Sequence, residues 1–151
     1  MPLKKVEQFL KNKGLDTKPI VFETKMETAQ EAADLLEVSV GQIAKSLLFR
    51  SEDKFGLFVV AGDVKVKERV IKHHLGKKPK MASAEQVIEK TGFVPGAVCP
   101  FALEKDIPIF IDVSLKRYET FYTAGGIAES LVEISFEDLC MITNGEVVET
   151  A

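Results

Sequence analysis

The chain has 151 residues, a formal net charge of −3, 46% hydrophobic residues and 28% charged residues. This length and composition are typical of one soluble globular domain with a sizeable core. No apolar run approaches the roughly 20 residues that span a bilayer, and the first residues lack the apolar stretch of a secretory signal.

Cysteine and histidine usage indicates the compartment and argues against a metal site. Cys99 and Cys140 are too few for a disulfide framework and favour a reducing cytoplasm. The only histidines, His73 and His74, are adjacent, which is not the spacing of a structural zinc site. We therefore expect a cytoplasmic protein with no metal and no cofactor.

Apolar residues at helical spacing and capping motifs predict the helices. Thr28 with Glu31, and Ser83 with Gln86, have the form of capping boxes, and Gly14 and Gly92 are natural helix ends. Helices are predicted at 3–13, about 29–37, 65–75, 84–91 and 136–142, with a short helical turn at 40–44.

Runs of β-branched and aromatic residues lie between these helices. Residues 46–50 and 55–61 are joined by SEDK at 51–54, which is typical of a hairpin. Further strands are predicted at 19–23, 107–113, 121–123, 130–134 and 146–149. Strands and helices are intermixed without a βαβ fingerprint. This order predicts a mixed α/β fold, a single domain over 1–151 with a largely antiparallel, barrel-like sheet flanked by helices.

Charge is unevenly distributed along the chain. Residues 65–80 hold seven basic residues and one acid, whereas residues 127–151 hold six acids and no lysine or arginine. The basic stretch has two interpretations, a solvated helix face or a local patch that binds phosphates despite the negative total charge. The candidate phosphate contacts are Lys65, Lys67, Arg69, Lys72, Lys77 and Lys78.

Three short segments carry the most functional information: IAKSLLF at 43–49, GFVPGAVCP at 92–100 and TAGG at 123–126. The first places Lys45 where a helical pattern gives way to a strand, and the others are small-residue loops whose backbone N–H groups can approach a ligand. Such a set suits a site that binds an anion and stabilises an oxyanion. A structural interpretation also exists, because a lysine in the last turn of a helix favours the helix dipole and Pro-Gly commonly forms a simple turn.

Other chemistries find little support. Cys99 lies in a Val-Cys-Pro context without the helix N-terminus that usually lowers a thiol pKa, and Cys140 falls within the apolar pattern of the last helix. The chain lacks an HExxH motif, and no Gly-Lys-Ser/Thr follows the glycine loop as it does in a P-loop. Neither AGD at 61–63 nor TAGG has a dinucleotide-binding pattern.

Six segments in a fixed order bear a family resemblance: TAQEAA at 28–33, IAKSL at 43–47, AGD at 61–63, TGFVPGAVCPF at 91–101, IDVSL at 111–115 and AGG at 124–126. Their order and spacing resemble the YbaK/ProX family of editing deacylases, over nearly the whole chain. That family is related to the editing domain inserted into bacterial prolyl-tRNA synthetases. Its members hydrolyse the ester that joins a wrong amino acid to the 3′-terminal adenosine of tRNA, notably tRNA for proline.

The resemblance implies roles for particular residues. Lys45 corresponds to the family's key lysine and would hold the terminal phosphate or ribose of the tRNA. The backbone N–H groups of Gly96 and Ala97 would donate hydrogen bonds to the ester carbonyl oxygen. The tRNA's own 2′-hydroxyl would assist the attacking water. The implied substrate-binding residues are Phe22, Met26, Gly92, Phe93, Val94, Pro95, Thr123, Ala124, Gly125 and Gly126.

The implied partners are the acceptor end of aminoacyl-tRNA, contacted by the basic stretch, and prolyl-tRNA synthetase as a candidate protein partner. No membrane is involved, and both a monomer and a homodimer remain open. Many relatives have Gly-Gly where this chain has Gly96-Ala97, so the Ala97 methyl is expected to narrow the pocket or alter the loop. Alanine, cysteine, serine and a non-protein analogue all remain possible amino acids.

Two alternative functions compete with the editing hydrolase. A binding module would keep the pocket without turnover and would bind tRNA or a synthetase as a regulator. A thiol hydrolase would use Cys99 as its nucleophile.

Overall fold

The computed structural model describes residues 1–150. The α-helices within this range are α1 (Pro2–Asn12), α2 (Ala29–Leu36), α3 (Glu68–Leu75), α4 (Ala84–Thr91) and α5 (Phe136–Thr143). The β-strands within it are β1 (Ile20–Val21), β2 (Ala44–Ser51), β3 (Lys54–Ala61), β4 (Lys80–Met81), β5 (Ile109–Asp112), β6 (Phe121–Ala124), β7 (Ser130–Ile134) and β8 (Glu146–Val148). None of the helices in residues 1–150 is long and apolar enough to cross a membrane.

The strands form two separate sheets. A five-stranded sheet has the order β4-β2-β3-β5-β8, and a three-stranded sheet has the order β1-β7-β6. The mixed α/β class is confirmed, but the expected barrel-like closure is wrong because neither sheet closes on itself. The largely antiparallel pairing is confirmed, because only β5 pairs in parallel, with β3 and β8.

Side-chain packing, rather than continuous strand pairing, joins the two sheets. The largest core cluster combines Val6 of α1, Val59 and Ile111 of the larger sheet, Val132 of the smaller sheet and Leu139 of α5. In residues 1–150, one isolated bridge links the backbones of the two sheets, from Ile43, directly before β2, to Tyr122 of β6. The edge strands β1 and β4 have two residues each, too short to complete a barrel.

The predicted capping residues Thr28 and Ser83 cap their helices, although the box at Thr28 is incomplete because the Glu31 carboxylate accepts the Glu27 N–H instead of the Thr28 N–H. The Thr28 hydroxyl accepts the Glu31 N–H at 3.1 Å, and the Ser135 hydroxyl accepts the Asp138 N–H at 3.2 Å. Ser83 and Gln86 form a complete capping box at the start of α4. The helices predicted to begin after these residues are confirmed.

The structure corrects the local setting of Lys45. The helical turn before it is a short 3-10 helix, Val40–Gln42, and Lys45 is the second residue of β2. It therefore does not cap a helix dipole. Two elements were not predicted, the two-residue strand β4 and a 3-10 helix at Val113–Arg117, because such short segments carry little periodicity.

Asp112, at the end of β5, anchors the last residues of the described chain. Its carboxylate is buried and accepts hydrogen bonds from the Ser114 N–H at 3.0 Å, the Thr150 N–H at 2.7 Å and the Thr150 hydroxyl at 2.8 Å. Charge-assisted bonds of this kind are stronger than neutral ones. The IDVSL segment therefore has a clear structural role in holding β5, the following turn and Thr150 together.

We expect Asp112→Asn to lower the free energy of unfolding by about 2 kcal/mol, because an amide group would then face a buried donor. Urea unfolding followed by circular dichroism measures this loss. Asp63→Asn is the control, since Asp63 pairs with Arg117 at 2.7 Å in a half-exposed position. Loss of such an exposed pair costs about 0.2–1 kcal/mol. Equal losses in the two variants would contradict the anchoring role of Asp112.

Candidate active site

A cavity of about 380 Å³ lies beside the first half of β2. The N-terminal part of α2, the loop around Gly96 and the segment that leads into β7 form its other walls. Its lining residues are Met26, Glu27, Thr28, Ala29, Ala32, Ile43, Ala44, Lys45, Ser46, Leu47, Gly96, Val98, Ala124, Ile127, Ala128, Ser130 and Leu131. The three segments singled out in the sequence therefore meet at one place.

Lys45 supplies the positive charge of this cavity. Of the described lining residues it is the only cation, and its side chain is half-buried. The ammonium Nζ donates to the Val64 carbonyl oxygen at 3.0 Å. Because an ammonium has three donors, two remain for a ligand. Its position next to Val64 is thus fixed without its charge being neutralised.

The loop that carries Val64 is itself held in place. Arg117 binds Asp63 through two hydrogen bonds, at 2.7 and 3.0 Å. This guanidinium lowers the pKa of Asp63, which stays charged at neutral pH. Gly62 is required beside it, since a Cβ there would collide with the Val40 carbonyl oxygen. The AGD segment therefore positions the partner of Lys45.

Of the two residues predicted to supply backbone donors, Gly96 lines the cavity and Ala97 does not. Gly96 lines the cavity, is exposed and has a φ of +90°, a conformation that side-chain-bearing residues rarely adopt. Ala97 is fully buried, and its N–H donates to the Val94 carbonyl at 3.0 Å. The Ala97 N–H is therefore already hydrogen-bonded within the loop, which leaves Gly96 as the one candidate donor of the predicted pair. The Ala97 methyl does not line the cavity and so does not narrow it.

Among the other predicted substrate-binding residues, Met26 and Ala124 line the cavity. Phe22 lies one layer away, where it packs on the cluster formed by Met26, Ile43 and Leu131. Thr123 is buried, with its hydroxyl donating to the Ala124 carbonyl at 2.8 Å. Gly125 and Gly126 are also buried and stand outside the lining.

The first half of the glycine loop serves the fold and does not line the cavity. Gly92 ends α4 with a left-handed φ of 83°. Phe93 is in the core, and the Lys5 ammonium lies 4.5 Å from its ring centroid. Val94 and Pro95 are exposed outside the cavity.

The basic stretch begins next to the site and runs along the surface to the hairpin turn, where the Lys77 carbonyl accepts the Ser51 hydroxyl. Ile71 and Leu75 bury the apolar side of α3 against Phe49, Phe58 and Phe110, as its pattern predicts. Its first lysine, Lys65, directly follows the residue that accepts the Lys45 hydrogen bond. The six predicted phosphate contacts are all exposed and none lines the cavity: Lys65, Lys67, Arg69, Lys72, Lys77 and Lys78.

Sequence reasoning missed much of the apolar wall and one polar group. Besides the predicted Ala124, four alanines line the cavity, and nothing in their local pattern distinguishes them from ordinary core residues: Ala29, Ala32, Ala44 and Ala128. Ser46 also lines it, and its hydroxyl oxygen is the one buried side-chain polar atom in residues 1–150 without a hydrogen-bond partner. The available signal for Ser46 was its place directly after Lys45.

Cys99 is unsuited to act as a nucleophile. It is fully buried, and burial raises the pKa of its thiol to about 12. The thiolate needed for attack is therefore scarce at neutral pH. The sequence-based interpretation of Cys99 as a core residue agrees with this placement.

A second cavity, of about 290 Å³, lies at the opposite end of the β2–β3 hairpin. Lys54, His74 and Phe110 are among its lining residues. It contains none of the residues predicted to bind substrate, so the cavity at Lys45 is the candidate active site.

Comparisons with known proteins identify the family of this fold and site. Residues 23–141 match the model of the aminoacyl-tRNA editing domain. Protein YwhH of Bacillus subtilis (strain 168), itself uncharacterized, is 39% identical over 140 residues, which cover 92% of this chain and 89% of YwhH. The proline–tRNA ligase of Kosmotoga olearia is 34% identical over 99 residues, 65% of this chain but only 17% of the ligase.

A solved structure of similar fold is a candidate trans-editing enzyme for prolyl-tRNA synthetase. It superposes with a TM-score of 0.92 at 29% identity, covering 99% of this chain and 96% of the other. The family match extends over most of the chain and includes Lys45 and Gly96. The chain belongs to the aminoacyl-tRNA editing domain family.

Proposed function

We propose that this protein is a trans-editing hydrolase that cleaves a small, wrongly attached amino acid from the 3′ end of tRNA, with tRNA for proline as the first candidate. The observation that carries the proposal is the placement of Lys45 and Gly96 on one small cavity in an editing-domain fold. The likeness to the candidate trans-editing structure supports action on a tRNA delivered by a separate synthetase.

The cavity favours a small amino acid. Five alanine side chains form much of the wall, together with Ile43 and Leu131. Such a wall selects by size and admits alanine, serine or cysteine more readily than a bulkier residue.

Hydrolysis at this site requires no side-chain nucleophile. Water adds to the ester carbonyl carbon, the bond to the ribose 3′ oxygen breaks, and the water proton passes to that oxygen, leaving a free amino acid and an intact tRNA end. The ester is already activated, so positioning and oxyanion stabilisation supply the catalysis. Gly96 N–H donates to the developing oxyanion, and the two free donors of Lys45 hold the terminal phosphate or ribose.

The basic stretch extends the binding surface for the acceptor stem. It begins at Lys65, one residue after the Lys45 hydrogen-bond acceptor, and its charges face solvent. Contacts between lysines and phosphates release counterions, so binding through this surface weakens with salt. The local excess of positive charge attracts the polyanion although the whole chain carries −3.

We expect Lys45→Ala to lower kcat/KM by about 100-fold or more on the mischarged substrate, because the ribose or phosphate is no longer held at the carbonyl site. The assay follows deacylation of tRNA for proline charged with alanine, cysteine, serine or proline. Lys54→Ala is the control, an exposed lysine at the far end of the same hairpin. Binding of the charged tRNAs without cleavage by the wild type would instead identify the non-catalytic module.

We expect the double variant Lys65→Gln/Lys67→Gln to raise KM several-fold at low salt and leave kcat near the wild-type value. The slope of log KM against log salt concentration should fall by about 1–2, one for each lost phosphate contact. Lys54→Gln/Lys105→Gln removes two exposed charges beside the second cavity, at the far end of the hairpin from Lys65 and Lys67, and serves as the control. Equal slopes for the two double variants would exclude the basic stretch as the tRNA contact.

We expect Cys99→Ala to keep wild-type deacylation and to lower the free energy of unfolding by only about 1 kcal/mol, as for a small buried side chain. Native protein treated with N-ethylmaleimide should also remain active, because the thiol is buried with a raised pKa. Circular dichroism of each sample confirms that the protein is folded. Loss of activity in a folded Cys99→Ala variant would instead support the alternative of a thiol hydrolase with Cys99 as the nucleophile.

A further inference from the structure

The outer edge of β2, on the side away from β3, is interrupted at Ser46. At one end, β4 pairs with Phe49 and Arg50. At the other, Ile43 forms the bridge to Tyr122 of β6. Among the described strands, none pairs with Ser46 on this edge. The gap opens onto the cavity, since Ser46 and its neighbours in β2 line it.

Strand geometry directs the Ser46 backbone into this gap. The Leu48 carbonyl accepts the Ala82 N–H at 2.9 Å, so Leu48 points its backbone groups to the outer edge. Backbone N–H and C=O groups alternate between the two edges from one residue to the next, so Ser46 points the same way as Leu48. Its opposite residue in β3, Val59, is then a non-hydrogen-bonded partner.

The Ser46 side chain adds a third unused polar group at the same point. Its hydroxyl oxygen is buried and has no hydrogen-bond partner among residues 1–150. Buried polar groups are nearly always paired, and an unpaired one reduces stability. A ligand in the cavity is the natural partner for this hydroxyl.

We propose that the open edge of β2 at Ser46 binds the aminoacyl group of the substrate as a one-residue addition to the sheet. The Ser46 N–H donates to the ester carbonyl oxygen, and the Ser46 carbonyl and hydroxyl oxygens accept from the α-ammonium. This inference rests on the proposed function. The Ser46 N–H takes the role of second oxyanion donor, beside the Gly96 N–H, because the Ala97 N–H is already bonded to the Val94 carbonyl.

An amino acid matches this edge because of the geometry of antiparallel pairing. In a hydrogen-bonded antiparallel pair, each residue donates its N–H to, and accepts at its C=O from, the residue opposite. An aminoacyl ester carries an ammonium and a carbonyl on the same α-carbon, so both can meet Ser46 at once. These groups are common to all amino acids, so Ser46 does not distinguish one amino acid from another. Selection by side-chain size is then left to the alanine-lined wall of the cavity.

The first test replaces the Ser46 amide with an ester by incorporating glyceric acid, the α-hydroxy analogue of serine, at position 46. The matched control incorporates the α-hydroxy analogue of leucine at position 48, whose backbone faces β4 on the same edge. We expect kcat to fall about 100-fold at position 46, as on loss of an oxyanion donor, with KM little changed. A loss at 46 no larger than that at 48 overturns the proposal.

The second test measures binding and does not depend on turnover. The probes are adenosine carrying alanine through a 3′-amide and the matching propanoyl compound, which lacks the amine. Ser46→Ala should weaken binding of the alanyl probe by about tenfold and leave the propanoyl probe unaffected. It should unfold at the same or a higher urea concentration than the wild type, since it removes an unpaired hydroxyl. Equal effects on both probes overturn the proposal.

The two tests separate this inference from the proposed function. If the wild type cleaves no charged tRNA but binds the alanyl probe through Ser46, the proposed hydrolase function is contradicted and aminoacyl binding at the edge of β2 is supported. If the wild type cleaves charged tRNA and neither Ser46 change alters cleavage or probe binding, the hydrolase function is supported and aminoacyl binding at the edge of β2 is contradicted.

Discussion

The antiparallel pairing of β2 with β3 places the groups on which the site depends. It runs through eight residue pairs, from Ala44 opposite Ala61 to Ser51 opposite Lys54, closed by a two-residue turn. A shift of one residue would move every side chain of β2 to the other face of the sheet. Lys45 would then no longer reach the Val64 carbonyl, and the backbone of Ser46 would face β3 instead of the cavity.

Backbone groups, rather than reactive side chains, dominate the chemistry that this arrangement offers. Gly96 lines the cavity with a left-handed φ, and Lys45 is held by one hydrogen bond with two donors left over. Cys99, which lies in the same loop, is buried, and burial raises the pKa of its thiol to about 12. A site of this kind suits an activated ester, whose cleavage needs oriented donors and a positioned water more than a nucleophile.

Glycines in this fold serve two separate purposes that the sequence does not distinguish. Gly96 borders the cavity in a conformation that other residues rarely adopt, and nothing lies within 4 Å of a Cβ built there. Gly62 lies where a Cβ would strike the Val40 carbonyl oxygen, so it lets the Lys45 partner loop pack closely. Gly96 therefore forms part of the cavity surface, whereas Gly62 supports the loop whose Val64 carbonyl holds Lys45.

The sequence by itself determined the elements with strong local signals and the residues of a recognisable motif. The capping residues Thr28 and Ser83 set the helix starts, the hairpin was evident from two β-rich runs, and Lys45 and Gly96 stood out in their segments. Only the tertiary structure decided that the sheets stay open, that the Ala97 N–H bonds to the Val94 carbonyl and that three predicted residues lie outside the cavity: Phe22, Gly92 and Thr123. The physical reason is that short edge strands, the direction of each N–H and the walls of a cavity depend on contacts between segments far apart in the chain, which local periodicity does not encode.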